Sequence, residues 1–101
     1  MSNEKVKYLK VARNTPVQAL ATSIVSAYRE DTERTIVIRS VGPVPLNQAV
    51  KAVIVANKDF IKTGLTAVLM PSFATIPLPN IGGVGDKENT AIELKVELKR
   101  V

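Results

Sequence analysis

The 101-residue chain contains no cysteine and no histidine. The first absence excludes a disulfide framework, a thiol nucleophile and thiolate metal sites. The second removes the imidazole general base and the common nitrogen ligand of zinc. A Ser-His-Asp or Cys-His mechanism is therefore impossible within one chain, and the expectation is a protein that is not an enzyme and holds no cofactor. Long apolar runs are missing as well. No segment approaches the roughly 18 consecutive apolar residues of a membrane span, so no membrane partner is expected. The opening Met1-Ser2-Asn3-Glu4-Lys5 has no apolar stretch behind a basic start, so no signal peptide is visible and the cytoplasm is the expected compartment.

Enough apolar material remains for a core. Hydrophobic residues make up 46% of the chain, which at this length predicts one domain over residues 1–101 that folds without staples. Fourteen Lys and Arg stand against nine Asp and Glu, a net charge of +5. The excess is uneven: residues 1–51 carry eight basic and four acidic groups, residues 52–101 six and five. A polyanion would meet the N-terminal half first, although such a balance also serves solubility alone.

Periodicity orders the elements. Leu9 and Val11 alternate with Tyr8 and Lys10, predicting a first strand. Thr15-Pro16-Val17-Gln18 predicts a helix start, with Thr15 capping and Gln18 closing a capping box. Val17, Leu20, Ala21, Ile24 and Tyr28 then mark its apolar face to about Glu30. Residues 35–41 are β-branched and nearly continuous, a central strand. Gly42-Pro43-Val44-Pro45 breaks it and opens a second helix, whose apolar set is Leu46, Ala49, Val50, Val53, Ile54 and Phe60. Thr63-Gly64 ends that helix, the Gly supplying a left-handed stop. Residues 65–70 form a third strand that Pro71-Ser72-Phe73 would bend or bulge before Ala74-Thr75-Ile76. A long loop follows between Pro77 and Asn89. In the last strand Ile92, Leu94, Val96 and Leu98 alternate with Glu93, Lys95, Glu97 and Lys99, one face buried and one solvated. The fold class is α+β, a two-layer sandwich in the order β-α-β-α-β-β, with two helices on one face of a four-stranded mixed sheet.

Few residues carry chemistry. Gly82-Gly83-Val84-Gly85 lacks the Gly-Lys-Ser/Thr ending of a phosphate loop and precedes a strand, so it reads as a hairpin tip. Asp86 and Glu88 flank Lys87 with no third acid nearby, and no metal site is expected. The basic groups are more informative. Lys10, Arg13 and Asn14 stand between the first strand and first helix, Arg39 near the end of the second strand, and Asn47, Gln48 and Lys51 in the first turns of the second helix. If those strands are parallel neighbours, both helices begin at one edge of the sheet, where N–H groups and added cations favour phosphate. The alternative is scattered, solvated charge. The Asn47 and Gln48 amides are likewise placed to contact phosphate or sugar, the alternative being that Asn47 satisfies the Gly42–Pro45 turn.

One segment is distinctive. Leu46-Asn47-Gln48-Ala49-Val50-Lys51-Ala52-Val53 closely resembles the second-helix start of the stage V sporulation protein S family. Leu9-Lys10-Val11 leading to Pro16, Met70-Pro71-Ser72-Phe73 and Thr90-Ala91-Ile92 resemble other segments of that family in the same order. The family in turn is similar to the Alba chromatin proteins, which dimerise and bind DNA or RNA. The resemblance implies a sheet order of 1-2-4-3 with the last strand antiparallel, and a nucleic-acid-binding regulatory homodimer or higher homo-oligomer. Its candidate contacts are Lys10, Arg13, Asn14, Arg39, Asn47, Gln48 and Lys51. Where Alba-type binders carry lysines before the first-helix proline, this chain has Asn14-Thr15. Val41 and Pro43 flank Gly42 in place of arginines. The alternative is thus a homo-oligomeric or filament-forming interaction module without strong nucleic-acid affinity.

Overall fold

A computed structural model describes the backbone of residues 6–78 and 87–101, and side chains outside residues 76–89. The elements are β1 (Val6–Lys10), α1 (Val17–Glu30), β2 (Thr35–Ser40), α2 (Pro43–Ile61), β3 (Leu65–Leu78) and β4 (Lys87–Arg100). They form one four-stranded sheet in the order β1-β2-β4-β3. β1 and β2 are parallel, and β4 runs antiparallel to both β2 and β3. Side chains alternate across each strand. The registers therefore put Leu9, Ile36, Ile38, Leu94, Val96, Ala67 and Leu69 toward the helices, and Tyr8, Lys10, Val37, Arg39, Glu93, Lys95, Val68 and Met70 on the opposite, open face.

The core lies between the sheet and the helices. Leu20, Ile24 and Tyr28 of α1 and Val53 and Phe60 of α2 meet Ile36, Ile38, Leu94 and Val96. Small buried residues, Ala21 and Ala27 on α1 and Ala49, Ala52 and Ala56 on α2, allow close helix approach. Leu46 and Val50 pack at the margin of this core. Ile54 does not follow expectation, since 58% of its surface is exposed. It lies one residue beyond the buried face, where the 3.6-residue period turns a side chain outward.

Tyr28 ties the layers together. Its hydroxyl donates to the Val96 carbonyl at 2.6 Å, and its ring meets that of Phe60 edge to face, with centroids 5.5 Å apart. Burial pushes the phenol up to about 12, because the phenolate would lose its hydration.

Four local expectations are corrected. Pro16 occupies the position before α1, which has no side-chain cap. The Thr15 hydroxyl instead accepts from the Ala12 amide at 2.9 Å, and the Thr15 amide donates to the Ala12 carbonyl. That tight turn occupies the cap that the capping box required. Helix α2 begins at Pro43, inside the Gly42–Pro45 stretch expected as a turn, so Pro43 as well as Pro45 lies in its first turn. Its end is as expected, with Gly64 at a φ of 80°, a conformation open to glycine at little cost.

The third correction is that Pro71 makes no bulge. β3 and β4 pair in one unbroken register from Leu65↔Arg100 to Leu78↔Lys87, with Pro71 opposite Leu94. The Ala67 amide donates outward to Asn57 Oδ1 at 2.8 Å. Antiparallel alternation then points the nitrogen of residue 71 outward too, where a missing N–H breaks no ladder bond. The fourth concerns the long loop at 77–89. Strands run to Leu78 and restart at Lys87, leaving the Gly82–Gly85 segment outside the described residues. β4 pairs with β2 only over 92–96, so the hairpin extends past the sheet as a two-stranded arm. Phe73, 80% exposed, stands at its root.

Candidate functional site

The parallel pairing of β1 with β2 sends both chain segments out of the sheet at the same edge, and α1 and α2 both start there. The Val11 amide donates to the Arg39 carbonyl at 3.2 Å, extending the pairing into the β1–α1 turn. Between this turn and the start of α2 lies a cleft of about 630 Å³, walled by Val11, Val41, Pro43, Val44 and Pro45. Lys10, Arg13 and Arg39 also line it. Thus three of the seven candidate residues converge on one concavity.

Their surroundings differ. Lys10 and Arg39 are register neighbours on the open face. Lys10 and Arg13 are exposed and, among the described residues, have no acidic partner. Arg39 is held: its Nε donates to Glu93 Oε2 at 2.8 Å, and Nη2 donates to the same oxygen. The pair is cross-strand, since Arg39 faces Glu93 in the β2–β4 register. Sequence alternation puts Glu93 on the solvated face of the last strand with Lys95, Glu97 and Lys99. Lys95 and Lys99 both approach Glu97, at 3.9 and 3.7 Å, while Glu93 pairs across strands with Arg39, a residue of the cleft. The signal for this was opposite charge on two strands, which only their register brings together.

The remaining candidates lie elsewhere. Asn14 is exposed within the turn from Ala12 to Thr15. Gln48 donates from Nε2 to the Thr15 carbonyl at 2.9 Å, fastening the entry of α1 to the second turn of α2. Asn47 is exposed and, among the described residues, makes no side-chain hydrogen bond to the Gly42–Pro45 turn. Lys51 is exposed eight residues beyond Pro43, roughly 12 Å along the helix axis, and does not line the cleft.

The start of α2 is unusual as an anion site. A helix offers its first free N–H groups to a phosphate, yet Pro43 and Pro45 have none to offer. The Leu46 amide is already bonded to the Gly42 carbonyl. What remains at this end is mostly apolar surface. Positive charge comes from β1, the β1–α1 turn and β2.

No described helix is long and apolar enough to cross a membrane, and no cluster of acidic side chains suited to a metal occurs among the described residues. No curated protein sequence matches the chain. Among solved structures the fold is similar to Alba from Thermoplasma volcanium, with a TM-score of 0.65 and 17% identity, covering 90% of this chain and 99% of that one. The model of the Stage V sporulation protein S (SpoVS) family matches residues 7–99, which contain the cleft and every candidate residue. The chain therefore belongs to the Stage V sporulation protein S family, on an Alba-like fold.

Proposed function

We propose that this protein is a non-enzymatic, nucleic-acid-binding regulator that acts in the cytoplasm as an Alba-like homodimer. The observation that carries the reading is the convergence of Lys10, Arg13 and Arg39 on one cleft at the edge where both helices begin. Lys10 and Arg13 are free to meet phosphate, and a two-fold dimer would present the cluster twice along one backbone. The net charge of +5 adds a weaker, general attraction. The lack of His and Cys and the absence of a catalytic constellation among the described residues support a binding role over an enzymatic one.

Fluorescence anisotropy with labelled DNA and RNA at about 50 and 200 mM salt tests this reading. Binding should weaken steeply with salt. Lys10→Gln with Arg13→Gln should reduce affinity and lower the salt slope by about 1.4–1.8, the share of two phosphate contacts. Lys95→Gln with Lys99→Gln is the control of equal charge, since both lysines already sit beside Glu97. Equal losses from the two pairs would mean that net charge alone acts.

A second reading has its own observation. Ile54 and Ile61 lie 58% and 49% exposed on α2, three residues before and four after Asn57, which holds the β3 edge. An apolar stripe beside a sheet edge favours self-association. It serves the dimer above, and it also serves an oligomeric scaffold with no nucleic-acid role. Sedimentation of Ile54→Glu with Ile61→Glu should give monomer where the parent associates. A parent that associates but binds no nucleic acid at low salt would favour the scaffold.

A further inference from the structure

Resting on the nucleic-acid reading, we propose that the ligand is a single strand whose unstacked bases enter the cleft and stack on Tyr8, rather than an intact duplex. Three independent observations point there.

The first is shape. A duplex turns phosphates and sugars outward and keeps its bases stacked inside, so it has nothing to place in a recess. The cleft is about 630 Å³, inside the range of about 300–1,000 Å³ typical of pockets for small organic groups. A flipped-out base is such a group.

The second is the chemistry of the walls. Val41, Pro43 and Val44 offer apolar surface, and the two prolines remove two of the backbone donors that would suit phosphate. The recess thus suits the flat face of a base, while Lys10 and Arg13 stand at its rim for the charged backbone. With so few donors inside, discrimination among bases should be slight.

The third is Tyr8. This side chain is 64% exposed on the open face, and with Lys10 and Arg39 it lines a second, smaller recess of about 250 Å³. Lys10 and Arg39 are common to both recesses. A strand can pass from one to the other with cations beneath its backbone throughout. Exposed aromatic rings beside basic grooves are the usual platforms for unpaired bases.

The test compares labelled dT12, rU12 and a 12-base-pair DNA duplex in anisotropy titrations at low salt. For the parent protein, both single strands should bind more tightly than the duplex. Tyr8→Ala should weaken single-strand binding about tenfold, the scale of losing one stacked base, and leave duplex binding unchanged. Tyr8→Phe keeps the ring and should keep the affinity. Val44→Gln, which makes the wall polar without adding charge, should also weaken the single strands. Circular dichroism melting of each variant separates these effects from unfolding. Preference between dT12 and rU12 distinguishes DNA from RNA as the source of the strand. A duplex that binds as well as the single strands, with Tyr8→Ala silent, overturns this inference and leaves the broader reading standing. No binding of any of the three overturns both.

Discussion

Glu93 holds one of the three cations that line the cleft, and on the proposed nucleic-acid reading its replacement by Gln should tighten binding. Arg39 donates twice to one Glu93 oxygen, and the two side chains are 36% and 21% exposed. The three cations lining the cleft and the carboxylate bound to Arg39 sum to a local charge of +2; Glu93→Gln raises it to +3. A phosphate on the far side of the Arg39 guanidinium would sit about 7 Å from the Glu93 carboxylate. Their repulsion is about 0.6 kcal/mol at the dielectric of water and about 2.4 kcal/mol at the value typical near a protein surface. Removing it should tighten binding by about 3- to 60-fold, and one more phosphate contact should steepen the salt slope by about 0.7–0.9. The cost to folding is small. Partly exposed ion pairs contribute at most about 1 kcal/mol, and Gln still accepts a hydrogen bond from Arg39. The melting temperature should fall by no more than about 4–8 °C. Anisotropy titrations across a salt series, paired with thermal melts, read both effects. Unchanged or weaker binding with an intact fold and an unaltered slope would refute the idea that Glu93 competes with phosphate for Arg39.

Two further outcomes concern the core. Tyr28 holds its proton more tightly in the folded state, so its contribution is complete below its unfolded value of 10.0 and is lost as pH rises toward about 12; the loss should reach about 2–3 kcal/mol. Denaturant melts between pH 9 and 12 should show this fall for the parent and not for Tyr28→Phe, which itself should cost about 1 kcal/mol at neutral pH through the lost bond to Val96. Val53→Asp should unfold the protein, because Val53 is 4% exposed in the core and the carboxylate would have no partner there; wild-type melting of that variant would mean that α2 packs with a different face.

Much of this architecture is legible in residue spacing, and the misreadings share a cause. The apolar faces of α1 and β4 and the stop at Gly64 follow from periodicity and one backbone requirement, both local. The sheet order came from family resemblance, since spacing does not rank strands in space. Pro71 reads as a break because proline removes a donor, but whether that donor was needed depends on which edge the strand occupies. The arm reads as loop for a similar reason: its prolines and glycines mark turns, and only pairing with the other strand makes residues 77–78 and 87–89 extended. Thr15 looks like a cap in sequence, yet its hydroxyl has an equally near partner in Ala12. In the site, Lys10, Arg13 and Arg39 were legible from parallel strands ending together. Glu93 was not, because it lies 54 residues from Arg39 and only the antiparallel register unites them. Nor was the role of Gln48, whose bond to Thr15 spans two helix starts.

The outer edge of β3 has a consequence for what the protein becomes at high concentration. Along that edge the outward donors fall at alternate residues; the one at Ala67 is taken by Asn57, and Pro71 has none. An incoming strand would find Leu69 and Phe73 but miss a bond between each, and at the other margin β1 offers only five residues. Growth of the sheet by strand addition is thereby blunted at both ends. Crowding along a nucleic acid, or in a filament, would then rest on side-chain contacts that dilution reverses. Such assemblies should dissolve without the hysteresis of amyloid, and dyes that report continuous cross-β structure should stay dark in them.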